Sequence, residues 1–338
     1  MPHTSAENFA EDRYKNMFYR RCGHSGLLLP AISLGAWETF GGYRDEEIAR
    51  ACLFRAFDLG ITHFDLANNY GRPPGNAETT VGKILRDMLR DELIISTKAG
   101  YGMWPGPYGI GLSKKYLVSS LDQSLKRLGL EYVDIFYAHR PDPETPLEET
   151  MAALDLIARQ GKALYIGVSN FSGAQLESAV QVSQRMGLTP ITIHQPIYNL
   201  LNRRPEYNLF DHTQRSGVGV IAYSPLHHGL LTDKYLSNTM PRDSRAALWW
   251  GKQSNEEILT GDMLNKIRRL NAIAQERGQT LAQMALSWIL RRPEVTSILI
   301  GASKVEQIEE NVKVIHHCAF SDDDLKSIDE ITLAPLEQ

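Results

Sequence analysis

From about residue 30 onward, short apolar runs rich in β-branched residues alternate with stretches of helical period. That alternation predicts βαβ units. A strand buried on both faces reads as a continuous apolar run, while its crossover helix keeps one polar side. Eight such runs are present: Ala31–Leu34, Thr62–Leu66, Leu93–Thr97, Val133–Tyr137, Leu164–Val168, Ile191–His194, Val218–Tyr223 and Ser297–Ile300. Eight parallel strands, each followed by a helix, close on themselves, so the expected fold class is α/β, a (β/α)8 barrel of the TIM type. The whole chain, 1–338, reads as one domain, with the barrel core over about 30–331 and an extension before it.

Local signals support the count. Thr145-Pro-Leu-Glu148 offers a capping threonine, proline at the first helical position and glutamate at the third. Ser172-Gly-Ala-Gln175 and Ser303-Lys-Val-Glu306 repeat the capping-box pattern, and Val305, Ile308, Val312 and Ile315 give the eighth helix its apolar stripe. One further helix is expected over Ser321–Ile331. Two insertions break the rhythm, Gly100–Gly111 after the third strand and Pro225 to about Gly261 after the seventh. Both follow strand C-termini, the barrel face where βα loops build active sites, so they are the expected walls of a substrate pocket.

Composition narrows the function. A hydrophobic fraction of 43% and a charged fraction of 22% suit an ordinary globular chain, and a net charge of −4 without long runs of one sign argues against nucleic acid or an anionic membrane as partner. The three cysteines, Cys22, Cys52 and Cys318, lack CxxC spacing and suggest neither a disulfide framework nor zinc. With no export signal and no long apolar span, a reducing cytoplasm is expected. His227-His228 and His316-His317 are adjacent pairs whose side chains diverge, and no carboxylate or cysteine is spaced to complete a site, so no metal is expected.

The candidate chemistry sits at strand ends. Asp65 closes the second strand, Lys98 the third, His139 follows the fourth, and Tyr70 lies just beyond Asp65. Three adjacent strands thus bring a carboxylate, an ammonium, an imidazole and a phenol to one rim. A phenol is a poor acid at neutral pH, and a nearby ammonium is expected to lower its pKa toward a useful range. Asp65 would compensate Lys98, and a neutral His139 would bond a substrate carbonyl oxygen.

In order and context these four residues resemble the tetrad of the aldo-keto reductases. The resemblance runs from about Tyr19 to Ile331 through Phe64-Asp-Leu-Ala-Asn-Asn-Tyr-Gly71, Ser96-Thr-Lys-Ala-Gly100, Tyr132-Val-Asp-Ile-Phe-Tyr-Ala-His-Arg140, Gly167-Val-Ser-Asn170 and Ile300-Gly-Ala-Ser-Lys304. Met103-Trp-Pro-Gly-Pro-Tyr108 and Pro141-Asp-Pro-Glu-Thr-Pro146 are similar to the branch holding L-glyceraldehyde 3-phosphate reductases and potassium-channel β subunits.

The resemblance implies reduction of an aldehyde or ketone with Tyr70 as acid. It implies that Ser169, Asn170 and Gln195 hold a nicotinamide carboxamide and that Tyr223 stacks on its ring. Ser224, Pro225, Leu226, Gly229 and Leu231 would line the pyrophosphate, Trp37 would border the reaction centre, and Gln307, Glu310 and Asn311 would approach the adenosine. Physical reasoning favours NADPH over NADH, because Gly301-Ala-Ser303-Lys304 opens a helix whose positive end and lysine suit a 2′-phosphate. A Rossmann fingerprint is absent, since Lys114 stands where Gly109-Ile-Gly111 would need its third glycine.

Trp37, Trp104, Trp249 and Trp250 are candidate walls for a small carbonyl such as glyceraldehyde 3-phosphate or methylglyoxal, and Arg72 or Arg140 a partner for its phosphate. The branch also implies a homo-oligomer, a tetramer or octamer. The alternative is a cofactor-binding regulatory subunit with weak turnover, a reading opposed by the catalytic type at all four tetrad positions. A metal-dependent barrel hydrolase would need ligands at several strand ends, and those are missing.

Overall fold

The computed structural model describes residues 9–37, 39–43, 45–236 and 260–333. Trp249, Trp250 and most of the second insertion lie outside the described residues.

An antiparallel hairpin comes first, β1 (Tyr19–Arg21) with β2 (Leu28–Pro30). The barrel strands follow: β3 (Ile32–Gly35), β4 (His63–Asp65), β5 (Ile94–Ala99), β6 (Val133–Ala138), β7 (Ala163–Ser169), β8 (Ile191–Gln195), β9 (Gly219–Ala222) and β10 (Val295–Ile300). They close in the order β10-β3-β4-β5-β6-β7-β8-β9, and each neighbouring pair is parallel. Every predicted run coincides with one of these strands, because parallel strands covered by helices are apolar on both faces and carry the strongest sequence signal.

The hairpin was not predicted. Its strands, Tyr-Arg-Arg and Leu-Leu-Pro, have three residues each, too short for a period to register. It plugs the N-terminal mouth of the barrel: Cys22, Leu27 and Leu29 pack with the inward-facing Ile135, Tyr137, Ile193, Ile221 and Leu299. The His24 amide donates to the Gly217 carbonyl at 2.8 Å. The turn passes so close that a Cβ on Gly23 would lie 2.0 Å from the Gly217 oxygen, and Gly23 also has φ +54°, so only glycine fits.

Three helix starts separate what capping patterns can and cannot predict. Ser172 and Gln175 form the expected capping box. Thr145 does not cap: the helix Leu147–Arg159 has Pro146 at its N-cap, and the Thr145 hydroxyl donates to Asp142 Oδ2 at 2.7 Å. Asp142 also accepts from the Leu112 amide at 2.7 Å, tying together the loops after β5 and β6. Ser303 fails likewise, because the helix Val305–Val312 begins one residue later with Lys304 at its N-cap and no side-chain cap. The Ser303 amide donates instead to Gln307 Oε1 at 2.8 Å. The last helix, Asp322–Thr332, lies where a further helix was expected and starts from a capping box of Ser321 and Asp324 that was not predicted.

Candidate active site

The C-terminal ends of the barrel strands open into one cleft of about 920 Å³. Its floor is set by strand alternation. Asp65 is in register with Ser96, so Lys98, two residues further along β5, points inward on the same side. Lys98 is fully buried. Its Nζ donates to Asp65 Oδ2 at 2.5 Å, to the Leu66 carbonyl at 2.6 Å and to Tyr70 Oη at 3.4 Å, which uses all three ammonium hydrogens. Asp65 Oδ1 accepts from Ser96 Oγ at 2.6 Å and from Gln195 Nε2 at 3.2 Å. Such saturation is what allows an ion pair to survive without water.

Above Lys98 stand the aromatic groups. The Tyr70 and His139 rings meet edge to face at 5.8 Å, and Tyr101 also packs edge to face with His139 at 4.6 Å and 90°. His139 Nδ1 is buried without a partner. Burial, with the Lys98 and Arg140 cations adding to it, holds the His139 pKa well below the ordinary histidine value, so the ring is neutral at pH 7. For Tyr70 the sequence expectation is reversed. Burial pushes its pKa well above the ordinary value and the Asp65 charge adds to that, so Lys98 at 3.4 Å does not make a free phenolate here. The phenol is a stored proton, not a pre-ionised group.

One flank of the cleft carries amides. Ser169, Asn170 and Gln195 close β7 and β8 and line it. Asn170 Nδ2 donates to the His139 carbonyl at 3.0 Å, while its Oδ1 accepts from Tyr223 Oη at 2.8 Å, fixing the tyrosine ring. Asn170, Ser224, His227 and His228 have positive φ. Of these, Asn170, Ser224 and His228 face the cleft, where such strain commonly marks function. The other end is formed by the Gly301–Lys304 turn and the start of the helix Val305–Val312.

Most of the predicted site converges here. Trp37, Asp65, Tyr70, His139, Ser169, Asn170 and Gln195 line the cleft, as do Tyr223, Ser224, Pro225, Leu226 and Gly229. Gly301, Ser303, Lys304, Gln307, Glu310 and Asn311 complete it. Leu231 does not line it, because its side chain is fully buried in the core beneath the loop. Trp104 packs on Tyr116, with ring centroids 5.4 Å apart. Arg140 lies over the Tyr101 ring at 4.8 Å and donates to the Gly100 carbonyl, away from the lining. Arg72 is exposed and also outside it. Sequence reasoning missed Tyr101, His228 and Lys234, all of which line the cleft. Tyr101 lay inside the flagged Gly100–Gly111 insertion, but nothing in its neighbours' pattern distinguishes it. Among the described residues no three metal-ligating side chains converge, and no helix is long and apolar enough to cross a membrane.

Comparison with known proteins decides the family. The aldo/keto reductase family model matches residues 31–333. The chain belongs to the aldo/keto reductase family. It is 55% identical over 325 residues to the L-glyceraldehyde 3-phosphate reductase of Escherichia coli strain K12, covering 94% of this chain and 93% of that one. It is 40% identical over 302 residues to a rice (Oryza sativa subsp. japonica) protein named "Probable voltage-gated potassium channel subunit beta", covering 88% and 91%. Family membership and the named reductase support carbonyl reduction by an oxidoreductase built on this barrel.

Proposed function

We propose that this aldo/keto reductase reduces short aldehydes with NADPH, with Tyr70 as general acid, and that L-glyceraldehyde 3-phosphate and methylglyoxal are its substrate class. The observation that carries the reading is the Lys98 ammonium held between Asp65 and the Tyr70 hydroxyl at the base of the cleft. The cleft suits a dinucleotide. It joins an amide-lined end beside the tetrad to an end where a helix starts without a side-chain cap, leaving first-turn amides for an anion. Lys304 and Lys234 add positive charge to its lining. Asn69 Oδ1 and His139 Nδ1, in two lining residues, are buried without partners.

When bound, the reduced nicotinamide supplies a hydride to the carbonyl carbon. The protein's part is to place the oxygen and protonate it. Neutral His139 orients the carbonyl oxygen beside Tyr70. As that oxygen gains negative charge its basicity rises, and the phenol transfers its proton to it. Lys98 then stabilises the phenolate left behind. Charge separation at Tyr70 arises only during the reaction, so the Lys98 interaction strengthens toward the transition state, and that difference is what accelerates a step. Asp65 keeps the ammonium in place throughout.

Ser169, Asn170 and Gln195 would hold the carboxamide, and Tyr223, fixed by Asn170, would press on the ring. The 55% identity to the E. coli reductase favours a phosphorylated triose as substrate. The relatives named as channel subunits keep a regulatory role in view, and intact His139 together with the other three tetrad residues favours turnover.

The test follows NADPH oxidation at 340 nm with L-glyceraldehyde 3-phosphate and methylglyoxal, for the native protein and Tyr70→Phe, repeated with NADH. Turnover should fall on the order of 10²- to 10⁴-fold in Tyr70→Phe with NADPH affinity retained. Undiminished turnover in the variant would remove Tyr70 from its role. Tight NADPH binding without turnover in the native protein would favour the regulatory reading.

A further inference from the structure

Barrel interiors are ordinarily filled by layers of branched apolar side chains. Beneath Asp65 and Lys98 this one is polar. Ser297 on β10, Ser33 on β3, His63 on β4 and Ser96 on β5 are all fully buried and lie on four consecutive strands of the barrel. They form one line of contacts: Ser297 Oγ to Ser33 Oγ at 2.7 Å, Ser33 Oγ to His63 Nδ1 at 2.9 Å, His63 Nε2 to Ser96 Oγ at 2.9 Å, and Ser96 Oγ to Asp65 Oδ1 at 2.6 Å.

Counting hydrogens gives the line a direction. Asp65 accepts at both oxygens and has no hydrogen to give. The single hydroxyl hydrogen of Ser96 is therefore spent on Asp65, and Ser96 can only accept from His63, whose Nε2 must carry hydrogen. Burial pushes the His63 pKa down to about 4, helped by Lys98 and opposed by Asp65, so the ring is neutral and Nδ1 is an acceptor. Ser33 donates to it, and Ser297 donates to Ser33. The rival bond, Ser297 to the Ala31 carbonyl, is the longer one at 3.4 Å. All donors thus point toward the Asp65 carboxylate.

We propose that His63 is a positioning residue for the reduction: as the neutral Nε2–H imidazole it orients Ser96, which fixes the Asp65 carboxylate that holds Lys98 beneath Tyr70. The inference rests on the carbonyl-reducing reading of the cleft. With His63 in the other tautomer, the Ser96 hydroxyl would turn to Nε2 and Asp65 would lose one of its three donors. The carboxylate could then rotate, carrying the ammonium away from the position where it stabilises the Tyr70 phenolate. The polar layer also explains its own cost. Buried hydroxyls and an imidazole are unfavourable in a core unless paired, and here each is paired.

The experiment has two arms. In the first, Ser96→Ala, His63→Asn and His63→Gln are compared at saturating NADPH, with turnover expressed per NADPH-binding site measured by fluorescence. A Gln carboxamide reaches the Nε2 position and can donate to Ser96, whereas Asn reaches only the Nδ1 position. Ser96→Ala and His63→Asn should lose about tenfold in kcat, the scale of one hydrogen bond to a charged group, with NADPH affinity unchanged. His63→Gln should recover most of that loss. Unchanged kcat in Ser96→Ala and His63→Asn, with only a lower Tm, would reduce the layer to core filling and overturn the proposal.

The second arm needs no turnover. In ¹⁵N spectra of histidine-labelled protein, the ring signal lost in His63→Gln should show protonation at Nε2 and a bare Nδ1. Protonation at Nδ1 alone would reverse the line and overturn the proposal. If the native protein fails to reduce any aldehyde, the functional reading falls, and this arm still decides the tautomer on which the Asp65 positioning depends.

Discussion

Asp65→Asn tests the floor of the cleft. At 2.5 Å the attraction between Asp65 and Lys98 is about 7 kcal/mol for an effective dielectric near 20. Most of that is offset by the loss of hydration of both groups, so the pair as a whole adds little net stability. Removing one partner is different. Asparagine leaves the Lys98 ammonium fully buried without a counter-charge, beside the neutral Leu66 carbonyl and Tyr70 hydroxyl. It also turns an amide donor toward either Lys98 or Ser96. The expected cost is about 3–5 kcal/mol, which for a chain of this size lowers Tm by about 4–7 °C. Turnover should collapse as well, because an ammonium without its counter-charge loses its proton or its place.

The informative variant is the double one, Asp65→Asn with Lys98→Met, in which no charge is buried. Thermal melts by circular dichroism should recover most of the Tm lost in the single variant, while NADPH-dependent turnover stays lost. A double variant no more stable than Asp65→Asn alone would refute the view that the single substitution destabilises through an uncompensated charge. It would point instead to the asparagine side chain itself. Recovery of turnover in the double variant would refute the role given to Lys98.

Lys304→Ala should raise KM for NADPH on the order of fivefold to tenfold, the scale of a charge-assisted contact, and leave KM for NADH nearly unchanged. Equal effects on both would place the lysine elsewhere than at a 2′-phosphate. His63 and His194 are buried with pKa values pushed down to about 4. Both bind protons more readily when unfolded, so stability is full above the unfolded pKa of 6.5 and is lost as pH falls through the window from about 6.5 to 4. By pH 5 each should have cost about 2 kcal/mol. Urea melts between pH 7 and 5 check this, and a flat profile would contradict it. Gly167→Ala places a Cβ 2.6 Å from the Tyr137 ring and 2.8 Å from Ile193 inside the barrel. A loss of about 1–3 kcal/mol is expected, measured as a shift in urea midpoint.

The barrel was legible in the chain because its physics is local. A strand covered on both faces must be apolar throughout, and a helix laid on it must be apolar along one stripe, so eight repeats of that pair appear directly as hydrophobic period. The strand-end positions of Asp65, Lys98 and His139 were legible for the same reason. Once the strands are placed, their C-terminal residues share a rim.

The protonation state of Tyr70 was not legible. A residue list shows that an ammonium is near a phenol but not how much water is removed from both, and burial outweighed the ammonium. The hairpin at the barrel's N-terminal mouth, the failed caps at Thr145 and Ser303, and the placement of Tyr101 beside His139 also depend on contacts between segments far apart in sequence. Most dependent of all is the line from Ser297 to Asp65. Its residues are scattered over the chain from Ser33 to Ser297, the motifs hold only Asp65 and Ser96 and not Ser33, His63 or Ser297, and a serine or histidine in a strand carries no mark of its neighbour. Sequence alone determined which strands form and which residues end them. Closure of the barrel decided which side chains share its interior, because inward-facing residues of four different strands meet only when the sheet joins its own edge.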